Sequence, residues 1–181
     1  MLSSPPLVID TGIVSRYGFT NRFDILEQLF GGDIIIPNDV LTECWQVPKM
    51  QTPLDVALKA GWLNQFTIDF VNHVEIISTF GALTRQFGPG ESAVLSIAKV
   101  NGYSVGCDDM RAAARFCKRN SIPLLGSIGV LYQAFDKGII THSEADLIHN
   151  DMINLSKYRS PISSFQQAID WFKDRQGREL F

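Results

Sequence analysis

The chain has 181 residues, of which 45% are hydrophobic and 19% charged, the composition of a soluble globular protein that buries one sizeable core. Its formal charge of −3 argues against binding nucleic acid through bulk electrostatics alone, so a polyanion would need a local basic patch. The N-terminal segment is neither basic nor followed by the apolar stretch of a signal peptide, and no apolar run is long enough to span a membrane. The three cysteines show no paired spacing, so we expect a single cytoplasmic domain without membrane contact.

Short apolar runs alternate with segments of helical periodicity along the first 140 residues. Helices are expected at 23–30, from Asn38, after Pro53 and after Gly90, and then at 110–119 and 128–135. The stretch 65–77 is ambiguous between strand and loop, and from Thr141 onward the pattern is helical only. The predicted strands are residues 7–9, 34–36, 105–107 and 122–125.

Alternation of strands and helices is typical of an α/β protein with a parallel sheet covered on both faces. We therefore predict a three-layer α/β/α fold with a central parallel sheet. Residues 1–140 would form its core, and residues 141–181 a C-terminal helical extension packed on the same domain.

Four acidic residues are predicted to converge at one edge of this sheet. Asp10 and Asp109 follow strands, whereas Glu43 and Glu91 lie near the starts of helices. Ligands of open parallel sheets bind beyond the carboxyl ends of the strands. Carboxylates that meet there repel one another unless a cation neutralises them, and oxygen ligands suit Mg²⁺ or Mn²⁺ and the phosphate chemistry these ions promote. Asp108, next to Asp109, could share this role.

Each acid also has an ordinary structural explanation. Asp10 and Asp109 can cap the helices that follow them. Glu91 can stabilise a first helical turn, and Glu43 can be a solvated helix residue. The Asp-Thr-Gly at residues 10–12 resembles the aspartic-protease signature, but those enzymes need two such aspartates on an all-β scaffold, and this chain has one. The predicted convergence of all four acids at one edge of the sheet is what favours a metal-binding site.

The helix predicted after Asp109 carries four basic residues along one stripe: Arg111, Arg115, Lys118 and Arg119. Such a stripe could hold a phosphate backbone that leads into the acidic crevice. A solvated helix face explains it equally well. Arg16, close to Asp10 in sequence, is a weaker candidate of the same kind.

These motifs together resemble the PIN domain, the ribonuclease fold of VapC-type toxins. The matching stretches are VIDT at 8–11, IPNDVLTE at 36–43, GESAVL at 90–95, CDD at 107–109 with RAAA at 111–114, and GSIGVL at 126–131 before KGII at 137–140. Residues 60–63 and 158–162 are similar to a less characterised VapC-like branch. The spacing from Glu91 favours Asp109 over Asp108 as the family's last acid.

The resemblance implies a Mg²⁺- or Mn²⁺-dependent endoribonuclease in which residues 1–140 are a PIN-like nuclease core. Asp10, Glu91 and Asp109 would bind the metal ion, and Glu43 would bind it through water or orient the attacking water. The resemblance also implies a homodimer, the toxin of a toxin–antitoxin pair, and a small antitoxin protein as partner.

Two other functions stay open. One is a catalytically silent PIN scaffold that binds RNA or a protein, because Gly12 stands where the family often has Asn or Ser, and Cys107 where a Thr or Ser often assists metal binding. The other is a structure-specific DNA nuclease, which the same acids could serve.

Overall fold

A five-stranded parallel sheet organises the protein. The structure is a computed structural model that describes residues 6–175. The strands in this part of the chain are β1 (Leu7–Ile9), β2 (Ile34–Pro37), β3 (Leu63–Phe66), β4 (Ser104–Gly106) and β5 (Leu124–Leu125). They pair in the order β3-β2-β1-β4-β5, and every pair is parallel. The central strand β1 is apolar and buried at each of its residues, as expected for a sheet covered on both faces.

Ten helices flank this sheet within residues 6–175. They are α1 (Thr11–Phe19), α2 (Phe23–Phe30), α3 (Asn38–Trp45), α4 (Pro48–Ala60), α5 (Val74–Leu83), α6 (Pro89–Asn101), α7 (Ala112–Arg119), α8 (Ser127–Asp136), α9 (His142–Ser156) and α10 (Phe165–Arg175). The predicted three-layer α/β/α architecture is confirmed. None of these helices combines the length and the apolar character that crossing a bilayer requires.

The edge strand β3 was not predicted as a strand of its own. Its sequence is Leu-Asn-Gln-Phe, in which Leu63 is buried while Asn64 and Gln65 are exposed. An edge strand has a neighbouring strand on one side only, and its two faces are partly exposed to solvent. It therefore needs no continuous run of apolar residues. Its parallel register with β2, in which Gln65 lies opposite Ile36, is a property of the assembled sheet.

Two helices differ from the sequence-based expectation. The ambiguous stretch continues into α5, where β-branched residues favour a strand by propensity but packing against α6 decides for a helix. Pro53 does not open α4 but lies inside it, since the helix begins at Pro48. The buried side chains of Met50, Leu54 and Ala57 hold this helix on the core despite the lost N–H donor of Pro53.

The predicted C-terminal extension forms α9 and α10 up to residue 175. Helix α9 contacts α1 and α8, and begins with a capping box in which Thr141 and Glu144 exchange hydrogen bonds. Helix α10 contacts α8 and α9, and the Tyr132 and Phe172 rings stack with centroids 4.6 Å apart. Residues 1–5 and 176–181 lie outside the described residues, and a boundary at residue 140 stays a prediction.

Candidate active site

The strand order places the predicted acids around a switch point of the sheet. β1 lies between β2 and β4, and the chain adds β2 and β3 on one side of β1 and then β4 and β5 on the other, so the strand order reverses at β1. Asp10 follows β1, and Asp108 and Asp109 follow β4, so all three leave adjacent strands at the same edge. This is the place where open α/β sheets bind their ligands.

Asp10 is the N-cap of α1 and faces the end of β4. Its Oδ1 accepts a hydrogen bond from the backbone N–H of Ile13 at 2.9 Å, and its carboxylate is also hydrogen-bonded to the thiol of Cys107. Burial raises the pKa of Asp10 to about 6, although these hydrogen bonds lower it. The carboxylate is therefore held in place while its negative charge is poorly solvated.

Glu91 lies in the first turn of α6, and its carboxyl group also has a raised pKa. Burial raises its pKa to about 7, and the nearby charges of Asp109 and Asp10 act in the same direction. Its Oε1 is buried and has no hydrogen-bond partner among the described residues. A buried carboxylate oxygen without a donor, beside two other acids, is a place where a cation would be stabilised.

Asp109 is held by the start of α7. Its Oδ1 accepts hydrogen bonds from the backbone N–H groups of Arg111 at 2.8 Å and Ala112 at 3.2 Å. Its own backbone N–H points to the Sγ of Cys107 at 3.3 Å. Cys107 thus contacts both Asp10 and Asp109, and burial raises the pKa of its thiol, which stays protonated.

Glu43 lies in the last turn of α3, not near the start of a helix as predicted, and its carboxylate approaches Thr11 and Gly90, the chain neighbours of Asp10 and Glu91. Its side chain is exposed, and its Oε2 accepts a hydrogen bond from Thr11 Oγ1 at 2.6 Å. Because Thr11 directly follows Asp10, this bond ties Glu43 to the residues around β1. Sequence patterns did not single out Thr11, and its position next to Asp10 was the available signal.

Asp108 makes its hydrogen bonds and its ion pair with other parts of the protein. Its Oδ1 and Oδ2 accept hydrogen bonds from the N–H and the Oγ of Ser127, both at 2.8 Å, and its Oδ2 lies 3.6 Å from Nε of Arg16. The charge of Asp108 nevertheless helps to raise the pKa of Asp10. The structure therefore gives Asp108 a different set of contacts from Asp109, although the two are adjacent in sequence.

The predicted basic residues divide into two groups. Those on the helix stripe are exposed, and Arg111 donates its backbone N–H to Asp109, so the stripe begins beside the acids. Arg16 is mostly buried, donates to the carbonyl of Ser156 at 2.7 Å and lies 5.0 Å from the centre of the Tyr158 ring. Its guanidinium is thus occupied by contacts within the protein.

The donor set of the acid group fits a divalent ion that prefers oxygen ligands. Glu91 lies within electrostatic reach of both Asp10 and Asp109, and its buried Oε1 lacks a partner among the described residues. As the side chains stand in residues 6–175, however, no three acidic, His or Cys residues are grouped so that they could hold a metal ion. Binding one would require these carboxylates to move closer together.

Replacing Glu91 by Gln is expected to stabilise the protein at neutral pH. The pKa of Glu91 rises from 4.5 to about 7 on folding, so its ionisation disfavours the folded state as the pH rises through this interval. After allowance for solvent screening of a half-buried group, we expect a gain of roughly 1 to 2 kcal/mol at pH 8. Urea unfolding at pH 8 and pH 4 measures it, and a gain of equal size at both pH values would contradict this origin.

Comparison with known proteins agrees with the geometry. A family model described as a PIN domain matches residues 6–174. No curated protein matches the chain. PIN domains are generally nucleases, which are hydrolases of phosphodiester bonds, and typically use divalent metal ions. Because the match covers nearly all of the described residues, the chain belongs to the PIN-domain family.

Proposed function

We propose that the protein is a Mg²⁺- or Mn²⁺-dependent endoribonuclease. The observation that supports this most is the electrostatic grouping of Asp10, Glu91 and Asp109 at the switch point of the sheet, with one buried oxygen of Glu91 that has no partner among the described residues. Clustered carboxylates destabilise one another, and a cation is the simplest compensation.

In the proposed mechanism, Asp10, Glu91 and Asp109 would hold the ion. When bound, it supplies Lewis-acid polarisation of the phosphodiester and neutralises charge on the departing 3′-oxygen. Glu43, the exposed acid at the edge of the group, would orient the attacking water and accept its proton. Cleavage of the bond to the 3′-oxygen leaves a 5′-phosphate on the product.

The basic stripe on α7 would hold the RNA backbone. Replacing Arg115 and Arg119 with Gln is expected to weaken RNA binding about equally for all sequences, since phosphate contacts carry no sequence information. The slope of log affinity against log salt should become shallower by roughly 0.7 for each phosphate that the protein no longer neutralises. Filter binding at several salt concentrations measures both quantities.

A matched control for this prediction uses a different helix. Lys49 and Lys59 are exposed residues of α4, so their replacement by Gln removes the same charge outside α7. An equal decrease in affinity in the α4 and α7 double variants would show that the stripe has no special part in binding.

The resemblance to VapC-like proteins supports a further part of the proposal. We propose a cytoplasmic homodimer that acts as the toxin of a toxin–antitoxin pair, with a small antitoxin protein as partner. An adjacent reading frame with a DNA-binding pattern would support this role. Its absence would favour RNA processing instead.

The decisive test is cleavage of labelled substrates by the purified protein. We expect single-stranded RNA or transfer RNA to be cut with Mg²⁺ or Mn²⁺, and the reaction to stop when a chelator removes the ion. Preferential cleavage of branched DNA would instead indicate a structure-specific DNA nuclease.

A catalytically silent scaffold is the second candidate function. It is favoured by the absence, within residues 6–175, of a ready-made group of three metal-binding side chains. A scaffold would bind RNA or a protein with or without metal ions and would cut none of the substrates. It would also show no rise in melting temperature on addition of Mn²⁺, whereas a metal-binding enzyme would be stabilised by ligand binding.

A further inference from the structure

Glu43 differs from the other predicted acids in its surroundings. It lies on the exposed side of α3, where a glutamate can ordinarily adopt several side-chain conformations. A residue that orients water must be held within a fraction of an ångström, since small misplacements cost large factors in rate. The fold therefore needs to restrict Glu43 by contacts from other elements.

The first contact is the hydroxyl of Thr11. Its Oγ1 donates to Glu43 Oε2 at 2.6 Å across a separation of 32 residues. Thr11 is the first residue of α1 and is half-buried, so its own position is set by the helix that Asp10 caps. The bond joins α3 to the element that carries Asp10.

The second restriction comes from Gly90, whose missing side chain leaves the space that the Glu43 carboxylate occupies. A Cβ atom placed there would lie 2.9 Å from Glu43 Oε1 and 3.2 Å from its Oε2. Gly90 is buried in the first turn of α6 and directly precedes Glu91. The Glu43 carboxylate thus lies against the backbone of the element that carries Glu91, in a space that any other residue would fill.

We propose that Thr11 and Gly90 are positioning residues that together hold the Glu43 carboxylate at the first turns of α1 and α6, next in the chain to Asp10 and Glu91. Thr11 does so by a hydrogen bond, and Gly90 by leaving room. Each is the chain neighbour of one of those acids, so the same two contacts also align α1, α3 and α6. Their catalytic consequence depends on the nuclease activity proposed above, whereas the contacts themselves do not.

Substitutions at these two sites should separate activity from stability. Thr11→Val removes the hydroxyl and keeps the shape of the side chain, and Thr11→Ser keeps the hydroxyl.

Gly90→Ala should displace Glu43 at little cost, because the clashing atoms are the far end of a flexible side chain. Alanine also suits a helix better than glycine, so the melting temperature should stay within about 3 °C of the wild type or rise. Gly81→Ala in α5 is the matched control, since nothing lies within 4 Å of its added Cβ.

The experiment compares the full-length wild type with these four variants. Crystal structures of the metal-free proteins report the position of the Glu43 carboxylate, and calorimetric titration reports Mn²⁺ affinity. Steady-state cleavage of single-stranded RNA reports kcat and KM. We expect Thr11→Val and Gly90→Ala to displace the carboxylate and lower kcat by about 10- to 100-fold with KM changed less than about twofold. Thr11→Ser and Gly81→Ala should behave like the wild type in every measurement.

The outcomes distinguish this inference from the proposed function. An unmoved Glu43 carboxylate in both the Thr11→Val and Gly90→Ala structures, or wild-type kcat in both variants, overturns the positioning role. If the wild type cuts no RNA, the nuclease proposal fails, yet displacement of Glu43 in the two structures still supports the two contacts. If the carboxylate stays in place while kcat falls, Thr11 and Gly90 act by another route and the inference is wrong.

Discussion

Replacing Asp10 by Asn is expected to lower the rate of RNA cleavage by at least about a thousandfold while leaving the fold intact. The substitution removes the negative charge that would bind the ion, and such charge stabilisation is commonly the largest catalytic contribution. Asparagine caps helices about as well as aspartate, so the hydrogen bond from the N–H of Ile13 can be kept. Burial raises the pKa of Asp10 from 3.8 to about 6, so its ionised form disfavours folding at neutral pH. The variant should therefore be at least as stable as the wild type at pH 7.5.

Cleavage of labelled RNA with Mn²⁺, together with urea unfolding, measures both effects. Asp10→Ala is the control for the helix cap, and should be less stable than Asp10→Asn by about 1 kcal/mol at equal loss of activity. Activity of Asp10→Asn within tenfold of the wild type would show that Asp10 takes no part in the reaction.

Replacing Asp108 by Ala is expected to destabilise the protein by about 2 to 4 kcal/mol. The change leaves the N–H and hydroxyl of Ser127 without their acceptor and removes the charge beside the mostly buried guanidinium of Arg16. We expect these losses to outweigh the relief from burying a charged carboxylate, which raises the pKa of Asp108. The carboxylate joins the end of β4 to the start of α8, and through Arg16 to the end of α9. Its loss should therefore loosen three elements together, and the melting temperature should fall by roughly 5 to 12 °C.

The adjacent residue is the matched control. Asp109→Ala loses two hydrogen bonds to backbone N–H groups at the start of α7. It also removes the repulsion between Asp109 and Glu91 that raises the pKa of Glu91, and this gain offsets part of the loss. We expect its stability to change by less than about 1 kcal/mol and its cleavage activity to disappear. Calorimetry and the cleavage assay on both variants test this division of roles. Equal destabilisation by the two substitutions would contradict it.

Much of the fold was predictable because its signals are local. Buried strands such as β1 appear as short apolar runs, and the glycines and prolines around α6 mark where it begins and ends. The edge strand β3 and helix α5 were not predictable in this way. β3 is polar at Asn64 and Gln65, so it lacks the apolar run of a buried strand. The β-branched residues of α5 favour a strand, whereas tertiary packing makes this segment a helix.

For the candidate site, the sequence by itself determined that Asp10, Asp108 and Asp109 follow strands and that Glu91 begins a helix, and hence which edge of a parallel sheet they occupy, but it misplaced Glu43, which lies in the last turn of α3. Only the tertiary structure decided that Asp108 binds Ser127 and Arg16 while Asp109 lies close enough to raise the pKa of Glu91, and that Thr11 and Gly90 lie against the Glu43 carboxylate. Caps, turns and hydrophobic periodicity act over a few residues of chain, whereas the partner of a given carboxylate oxygen is set by how helices distant in sequence pack against one another.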